Sequence, residues 1–146
     1  MISSNLKNGL PAEIHMETTL FQNDEQQHHQ FSEPGRVVEM NGSYYIRYEE
    51  KHEEQSIPVT IKVEADGIVS LIRRGEMTTR LRFDRDKVTQ TQYKTPVGIL
   101  PVDIQTTNVK ISYYDRPFSG RVYVDYSLHM SEQKLGDYHL RLRFTT

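Results

Sequence analysis

Residues 57–83 read IPVTIKVE (57–64), ADG (65–67), IVSLIRR (68–74), GE (75–76) and MTTRLRF (77–83). β-Branched residues alternate with polar ones, and glycine stands at each reversal, where a hairpin needs positive φ. The stretch therefore describes three antiparallel strands. A slip of one residue would exchange the two faces of a strand, so the side chains themselves decide the register. With Ala65, Asp66 and Gly67 as a three-residue loop, Val63 opposes Val69, Ile61 opposes Leu71 and Val59 opposes Arg73. A two-residue loop would instead set Glu64 against Val69 and Val63 against Ser70. The first choice leaves one continuous apolar face and is the one adopted. Treating Arg74, Gly75 and Glu76 in the same way sets Arg73 against Met77, Leu71 against Thr79 and Val69 against Leu81. On this register Arg73 points inward, while Lys62, Arg74, Arg80 and Arg82 point outward.

The same alternation runs through the rest of the chain. Pro11 to Gln22 forms a strand with Ile14, Met16, Thr18 and Leu20 on one face, after a flexible start over residues 1–10. The polar run from Asn23 to Gln30 has no periodicity and reads as a long loop or short irregular helix. Arg36 to Met40 and Ser43 to Glu50 flank Asn41-Gly42, a strong hairpin signal that places Val37 and Glu39 with Tyr44, Ile46, Tyr48 and Glu50. Lys51 to Ser56 reads as a charged loop. Beyond Asp84-Arg85-Asp86, a polar strand carries Thr89, Thr91, Tyr93 and Thr95 inward, and Leu100, Val102, Ile104 and Thr106 continue that face after Pro96-Val97-Gly98. Thr107-Asn108 reads as a two-residue turn that sets Ile104 against Ile111. Two further strands bring Val122, Val124, Tyr126 and Leu128, then Tyr138, Leu140, Leu142 and Phe144, to the inside.

No segment carries a helical apolar period, and no internal repeat is visible. A meander of about 8–10 short antiparallel strands removes its edges by closing on itself. The expected fold is all-β, a single closed up-and-down barrel over residues 11–146, with a β-sandwich as the alternative.

Bulk properties bound the function. A chain of 146 residues is long enough to bury a core without cross-links. It has no cysteine, which excludes disulfides, a thiolate nucleophile and a cysteine metal site, and is compatible with a reducing cytoplasm. Net charge of −2 and a pI of 6.3 argue against a dedicated nucleic-acid partner or an anionic membrane surface. The first residues lack the apolar segment of a signal peptide, and no apolar run is long enough to span a bilayer. Mean hydropathy is −0.68, low for a packed domain but natural where strands give every second residue to water.

YIRYEE (45–50), LIRRG (71–75), LRF (81–83) and YKTPVG (93–98) resemble, in order and spacing, segments of the YwiB-like family of small bacterial proteins. The resemblance runs over nearly the whole chain from about Ile14. It implies a calycin-like barrel, related in shape to lipocalins and fatty-acid-binding proteins, and a Gram-positive cytoplasmic protein. The family has no established activity, so the resemblance implies no catalytic residues.

The inferred inner face carries Glu39, Tyr44, Tyr48, Glu50, Arg73, Thr89, Thr91, Tyr93 and Thr95 beside the aliphatics. An inward arginine must meet a carboxylate, a ligand anion or water. One reading is a ligand cavity in which Arg73 holds an anionic group, with Tyr48, Glu50, Tyr93 and Thr95 lining the site. The other is that Arg73 pairs with Glu50 or Glu39 and simply closes the barrel. The expected function is non-catalytic binding of a small, anionic and amphipathic ligand. Its alternative is a protein-interaction module acting through the sheet exterior or as a homodimer. No cofactor or metal is expected: His28 and His29 are adjacent and point apart, and neither they nor His15 have acidic partners at ligand spacing. His129 and His139 alternate outward. Catalytic motifs are absent, although Glu39 and Glu50 are an inward carboxylate pair of the kind that acid–base chemistry uses. Arg74, Arg80, Arg82, Arg85 and Lys87 make the outer face basic against Glu76, Asp84 and Asp86. Such a face from Arg74 to Lys87 could bind RNA or a phosphorylated partner, but no aromatic interleaves the arginines in the sequence, so a solvated, internally paired surface is the favoured reading.

Overall fold

Among the residues described by the computed structural model, 4–146, ten antiparallel strands follow one another along the chain. They are β1 (Leu10–Gln22), β2 (Glu25–Met40), β3 (Ser43–His52), β4 (Gln55–Val63), β5 (Val69–Arg74), β6 (Thr78–Phe83), β7 (Thr89–Thr95), β8 (Gly98–Tyr114), β9 (Ser119–Met130) and β10 (Gln133–Thr145). Their order in the sheet is β6-β5-β4-β3-β2-β1-β10-β9-β8-β7, so the first and last strands pair and the sheet rolls up around them. The barrel is nearly closed. Among the described residues no backbone ladder joins β6 to β7; the seam is bridged by Thr89 Oγ1, which donates to the Arg82 carbonyl, and by Lys94 Nζ, 3.3 Å from Glu76. Both flanking strands are short, and β7 is polar on both faces, so little apolar cross-strand packing is available to draw them into register. No helix among the described residues is long and apolar enough to cross a membrane.

The register around Gly67 is the one deduced from the side chains. Val63 opposes Val69, Ile61 opposes Leu71 and Val59 opposes Arg73, with the loop closed by Gly67 N–H donating to the Glu64 carbonyl. The following loop lies further along than expected: residues 75–77 form it, and Leu71 meets Leu81 while Val69 meets Phe83. A displacement of two residues leaves each face as it was. It also places Leu81 and Phe83, rather than Thr79 and Leu81, against the two aliphatics.

Three other expectations are corrected. The polar run after Asn23 is neither loop nor helix: Asn23-Asp24 turns tightly with both φ positive, and β2 pairs with β1 from the Gln22–Glu25 pair onward. Residues 25–30 are exposed on both faces, so backbone pairing forms this strand without any apolar alternation. The charged loop from Lys51 shrinks to Glu53-Glu54, because β3 and β4 continue their ladder to His52–Gln55. Thr107-Asn108 is not a turn. β8 runs through it with a bulge between Thr106 and Asn108, which moves the inward phase from Ile104 and Thr106 to Val109 and Ile111.

Inward rows from all strands fill the interior, and Ile14, Val37, Ile46, Ile104, Val122, Val124 and Leu142 are fully buried. One end is plugged. Of the start expected to be flexible, residues 1–3 lie outside the described residues, Ser4–Lys7 form a single 3-10 turn, and Leu6 is fully buried. At that end Phe118 packs on Tyr44 at 5.5 Å and on Phe144 at 5.4 Å, and Thr146 ties back to the Phe118 carbonyl.

Gly35 on β2 sits where backbones approach closely: a Cβ there would collide with the Arg47 carbonyl oxygen and lie 2.8 Å from an Ile14 carbon. At Gly75 the nearest heavy atom to such a Cβ is 3.8 Å away. Gly35→Ala should therefore cost about 1–3 kcal/mol in a urea titration, while Gly75→Ala stays within about 0.5 kcal/mol of the parent. Equal midpoints for the two variants would mean that β2 and β3 are not so tightly apposed.

Candidate functional site

The other end of the barrel is open, and the inward rows continue past the apolar core with charge. Arg73 is the penultimate residue of β5, opposite Val59 on β4 and Thr79 on β6. Its Nη2 donates to Glu50 Oε2 at 2.8 Å, across β4. The second oxygen of Glu50 lies 2.7 Å from His52 Nε2, two residues along β3 and on the same face. Glu50 is largely shielded, with its side chain 15% exposed, whereas Arg73 is 43% exposed. The Arg73 Nε is nonetheless cut off from solvent and has no hydrogen-bond partner. The guanidinium thus uses one nitrogen on Glu50 and turns its buried edge toward the interior.

Beneath this group lies a cavity of about 430 Å³. Met16, Phe31, Tyr48, Leu71 and Leu140 supply its apolar wall, and His29, Glu33, Lys51 and His52 stand around it with Arg73 and Glu50. Tyr48 packs on Phe31 with ring centroids 5.5 Å apart, and opposite it stands Gly35, whose missing side chain leaves the ring room. Burial raises the Tyr48 phenol well above its ordinary pKa, the Glu50 charge adds to the rise, and Arg73 opposes it. Burial likewise raises Tyr93 and Tyr126, again against the field of Arg73. Tyr126 is stacked on Tyr138 at 5.0 Å, so phenols from β7, β9 and β10 gather behind the guanidinium.

The structure brings Arg73, Tyr48 and Glu50 of the expected site together. Tyr93 lies in electrostatic reach of Arg73 on β7 but does not line the cavity. Thr95 ends β7 opposite Gly98, and its side chain lies outside what is described. Reading the sequence missed His52 and Phe31, both in stretches not recognised as strand. The Glu50-x-His52 spacing was the available signal, since residues two apart on a strand share a face. His29, expected in a loop, is exposed but lies on β2 in the row that faces the mouth.

Glu39 and Glu50 do not form an acid–base pair. Glu39 opposes Tyr44, six residues before Glu50 on β3, which separates the carboxylates by about 20 Å. Burial raises the Tyr44 phenol, and the charge and hydrogen bond of Glu39 raise it further. His15 is engaged by Ser32 and Glu17, and His28 by Thr19. No group of three or more potential ligands is placed to hold a metal ion among the described residues.

The raised phenols have a consequence for stability. Above about pH 10 the unfolded chain releases tyrosine protons that the folded chain retains, so stability is unaffected below that pH and falls as pH climbs beyond it. Tyr48→Phe should flatten this decline in urea midpoints measured across the alkaline range; an unchanged slope would show that water reaches the phenol.

Comparison with solved structures finds the ywiB protein from Bacillus subtilis, with a TM-score of 0.81 over 99% of this chain and 98% of that one. Identity is 20%, so the likeness speaks for the fold alone. No curated protein matches the chain. The model of the domain of unknown function DUF1934 matches residues 14–142, which is nearly the entire barrel, and the chain belongs to that family.

Proposed function

We propose that this protein is a non-catalytic cytoplasmic barrel that binds a small, anionic and amphipathic molecule at its open end. The observation that carries this reading is the cavity of about 430 Å³, whose apolar wall leads to Arg73. A ligand's hydrocarbon part would lie against Met16, Phe31, Leu71 and Leu140, and its carboxylate or phosphate would reach Arg73, with Lys51 and His52 alongside. Arg73 retains donor capacity for this role, because a guanidinium offers five N–H groups and Glu50 engages Nη2 alone. The surrounding wall lowers the local dielectric and strengthens such a charge-assisted hydrogen bond.

A second reading, association between copies, has a separate basis. Val88, Val97 and Ile99 at the ends of the β7–β8 hairpin are 57%, 83% and 58% exposed. Native mass spectrometry of freshly purified protein separates the two, by retained small-molecule mass in one case and by dimer mass in the other. A bare monomer with no thermal shift across a panel of fatty acids and phosphorylated metabolites would sink the ligand reading.

Arg73 and Arg74 give the sharper test, being neighbours of equal charge on opposite faces. Arg73→Ala leaves Glu50 with His52 alone; because the arginine is itself part-exposed, the expected cost is about 1–2 kcal/mol, between surface and buried ion pairs. Exposed Arg74→Ala should change stability by no more than about 0.5 kcal/mol. A ligand identified in the panel should stabilise the parent by about 2.7 kcal/mol at one hundred times its dissociation constant. That gain should vanish in Arg73→Ala and persist in Arg74→Ala. If Arg73→Ala destabilises the protein but keeps the ligand-dependent gain, Arg73 is structural.

A further inference from the structure

The outer face of β3 to β6 carries more positive charge, and a different neighbour, than the β5–β6 hairpin shows by itself. Two rows run across the strands there: Arg47, Thr60, Ile72 and Arg80 in one, Tyr45, Lys62, Ser70 and Arg82 in the other. Thr60, Ser70 and Ile72 are buried although they point away from the barrel interior. The long basic side chains cover them, so the face is a low floor of small and aliphatic groups beneath cationic ridges. Tyr45 lies within this band, with the Arg47 guanidinium 5.5 Å and the Lys62 ammonium 5.6 Å from its ring centroid. The aromatic group that the arginines lack along the sequence is delivered by β3.

The charge is poorly balanced. Arg47, Arg80 and Lys87 form no ion pair among the described residues, and Lys62 and Arg82 share a single carboxylate, Glu64, at 4.0 and 3.5 Å. Glu49, on the same face, accepts a hydrogen bond from Ser56, and Asp84 is buried where it caps the turn to Asp86. At the β6–β7 seam the band opens into a groove of about 500 Å³. Arg80, Arg82 and Lys87 line it with Gln90, Gln92 and Thr78, and no carboxylate lines it. The main-chain groups of two unpaired strand edges also lie along this groove.

The geometry points to a binding site for single-stranded nucleic acid on this face, running from Tyr45 across the β5–β6 hairpin to the seam. A chain of phosphates matches cations spread from β3 to the seam, of which Arg47, Arg80 and Lys87 form no ion pair among the described residues and Lys62 and Arg82 share one carboxylate. The half-buried Tyr45 ring, now flanked by Arg47 and Lys62, offers a platform for a base once those long side chains turn to phosphates, and the amides and hydroxyls of the groove suit base edges and sugars. The net charge of −2 does not oppose this, because recognition depends on the local field, and the groove at the seam is lined by three cations and no carboxylate. A helical duplex is stiff and keeps its bases stacked inside, so it cannot use Tyr45.

Fluorescence anisotropy with labelled oligouridylate and oligothymidylate of ~12 nucleotides tests the inference. Affinity should fall with salt at about 0.7 logarithmic units per phosphate contact, giving a slope near about −3 for four contacts. Replacing both Arg80 and Arg82 by Gln should make that slope shallower by about 1.4. Tyr45→Ala should weaken binding about 5- to 100-fold at every salt concentration without altering the slope. Arg121→Gln, exposed on β9 away from this face, should bind as the parent does. The inference is overturned if the parent binds neither oligonucleotide at about 50 mM salt. It is equally overturned if a duplex binds as tightly and Tyr45→Ala has no effect, which would be diffuse polyanion attraction. Thermal melts of each variant confirm that the fold is intact before binding is compared.

Discussion

Each connection in this barrel must hand the chain to the next strand with its apolar positions still facing inward, because a slip of one residue would turn a whole row to water. The chain meets this constraint by several devices. Asn23-Asp24, Asn41-Gly42 and Ser131-Glu132 reverse direction in two residues with positive φ at both, matching the twist of the strands they join. Gly67 ends a three-residue loop in the left-handed region. Bulges at Thr107 and Leu135 each absorb one residue, so that the inward phase is restored on the far side. Without the first of these, Val109 and Ile111 would face solvent opposite the inward Val124 and Val122.

The same constraint places charge inside. Strands that keep their phase carry it beyond the core, and past Leu71 the next inward position on β5 is Arg73, as Glu50 follows Tyr48 on β3. An isolated charge in that position would be expensive, and three features make it tolerable: a 2.8 Å ion pair, a histidine on the second carboxylate oxygen, and access to water at the rim. At the plugged end the inward positions are instead aromatic, with Tyr44, Tyr113, Phe118 and Phe144 in mutual contact. A barrel filled at one end and polar at the other is therefore a product of where alternation meets aromatic or charged residues.

Much of this was legible in the residues. The Val63–Val69 register, the inward position of Arg73 and the polar inner face of β7 follow from alternation and turn chemistry, whereas the choice of Glu50 over Glu39 as the arginine's partner does not. What failed did so for physical reasons. Residues 25–30 form a strand exposed on both faces, where no burial difference exists to generate a pattern. The β3–β4 hairpin overhangs the core in the same way, and His52 went unseen with it. At Thr107 a change of apolar phase from even to odd positions looks the same for a bulge as for a two-residue turn, since each adds residues that the ladder does not pair. The β5–β6 register shifts by two from the expected one because that error preserves both faces, leaving alternation unable to object. The basic face lost its aromatic for another reason: Tyr45 is distant in sequence and adjacent only across strands.

The seam between β6 and β7 changes what kind of object the barrel is. A cylinder whose ladders all close has a circumference fixed by strand number and stagger. This one is a rolled sheet whose two margins abut, held there by a hydroxyl contact near one end and an exposed ion pair near the other. Its girth can change by parting the margins, which sacrifices no backbone hydrogen bond of the ladders. Each margin meanwhile shields the other from foreign strands, so the sheet has an expansion joint without an adhesive edge.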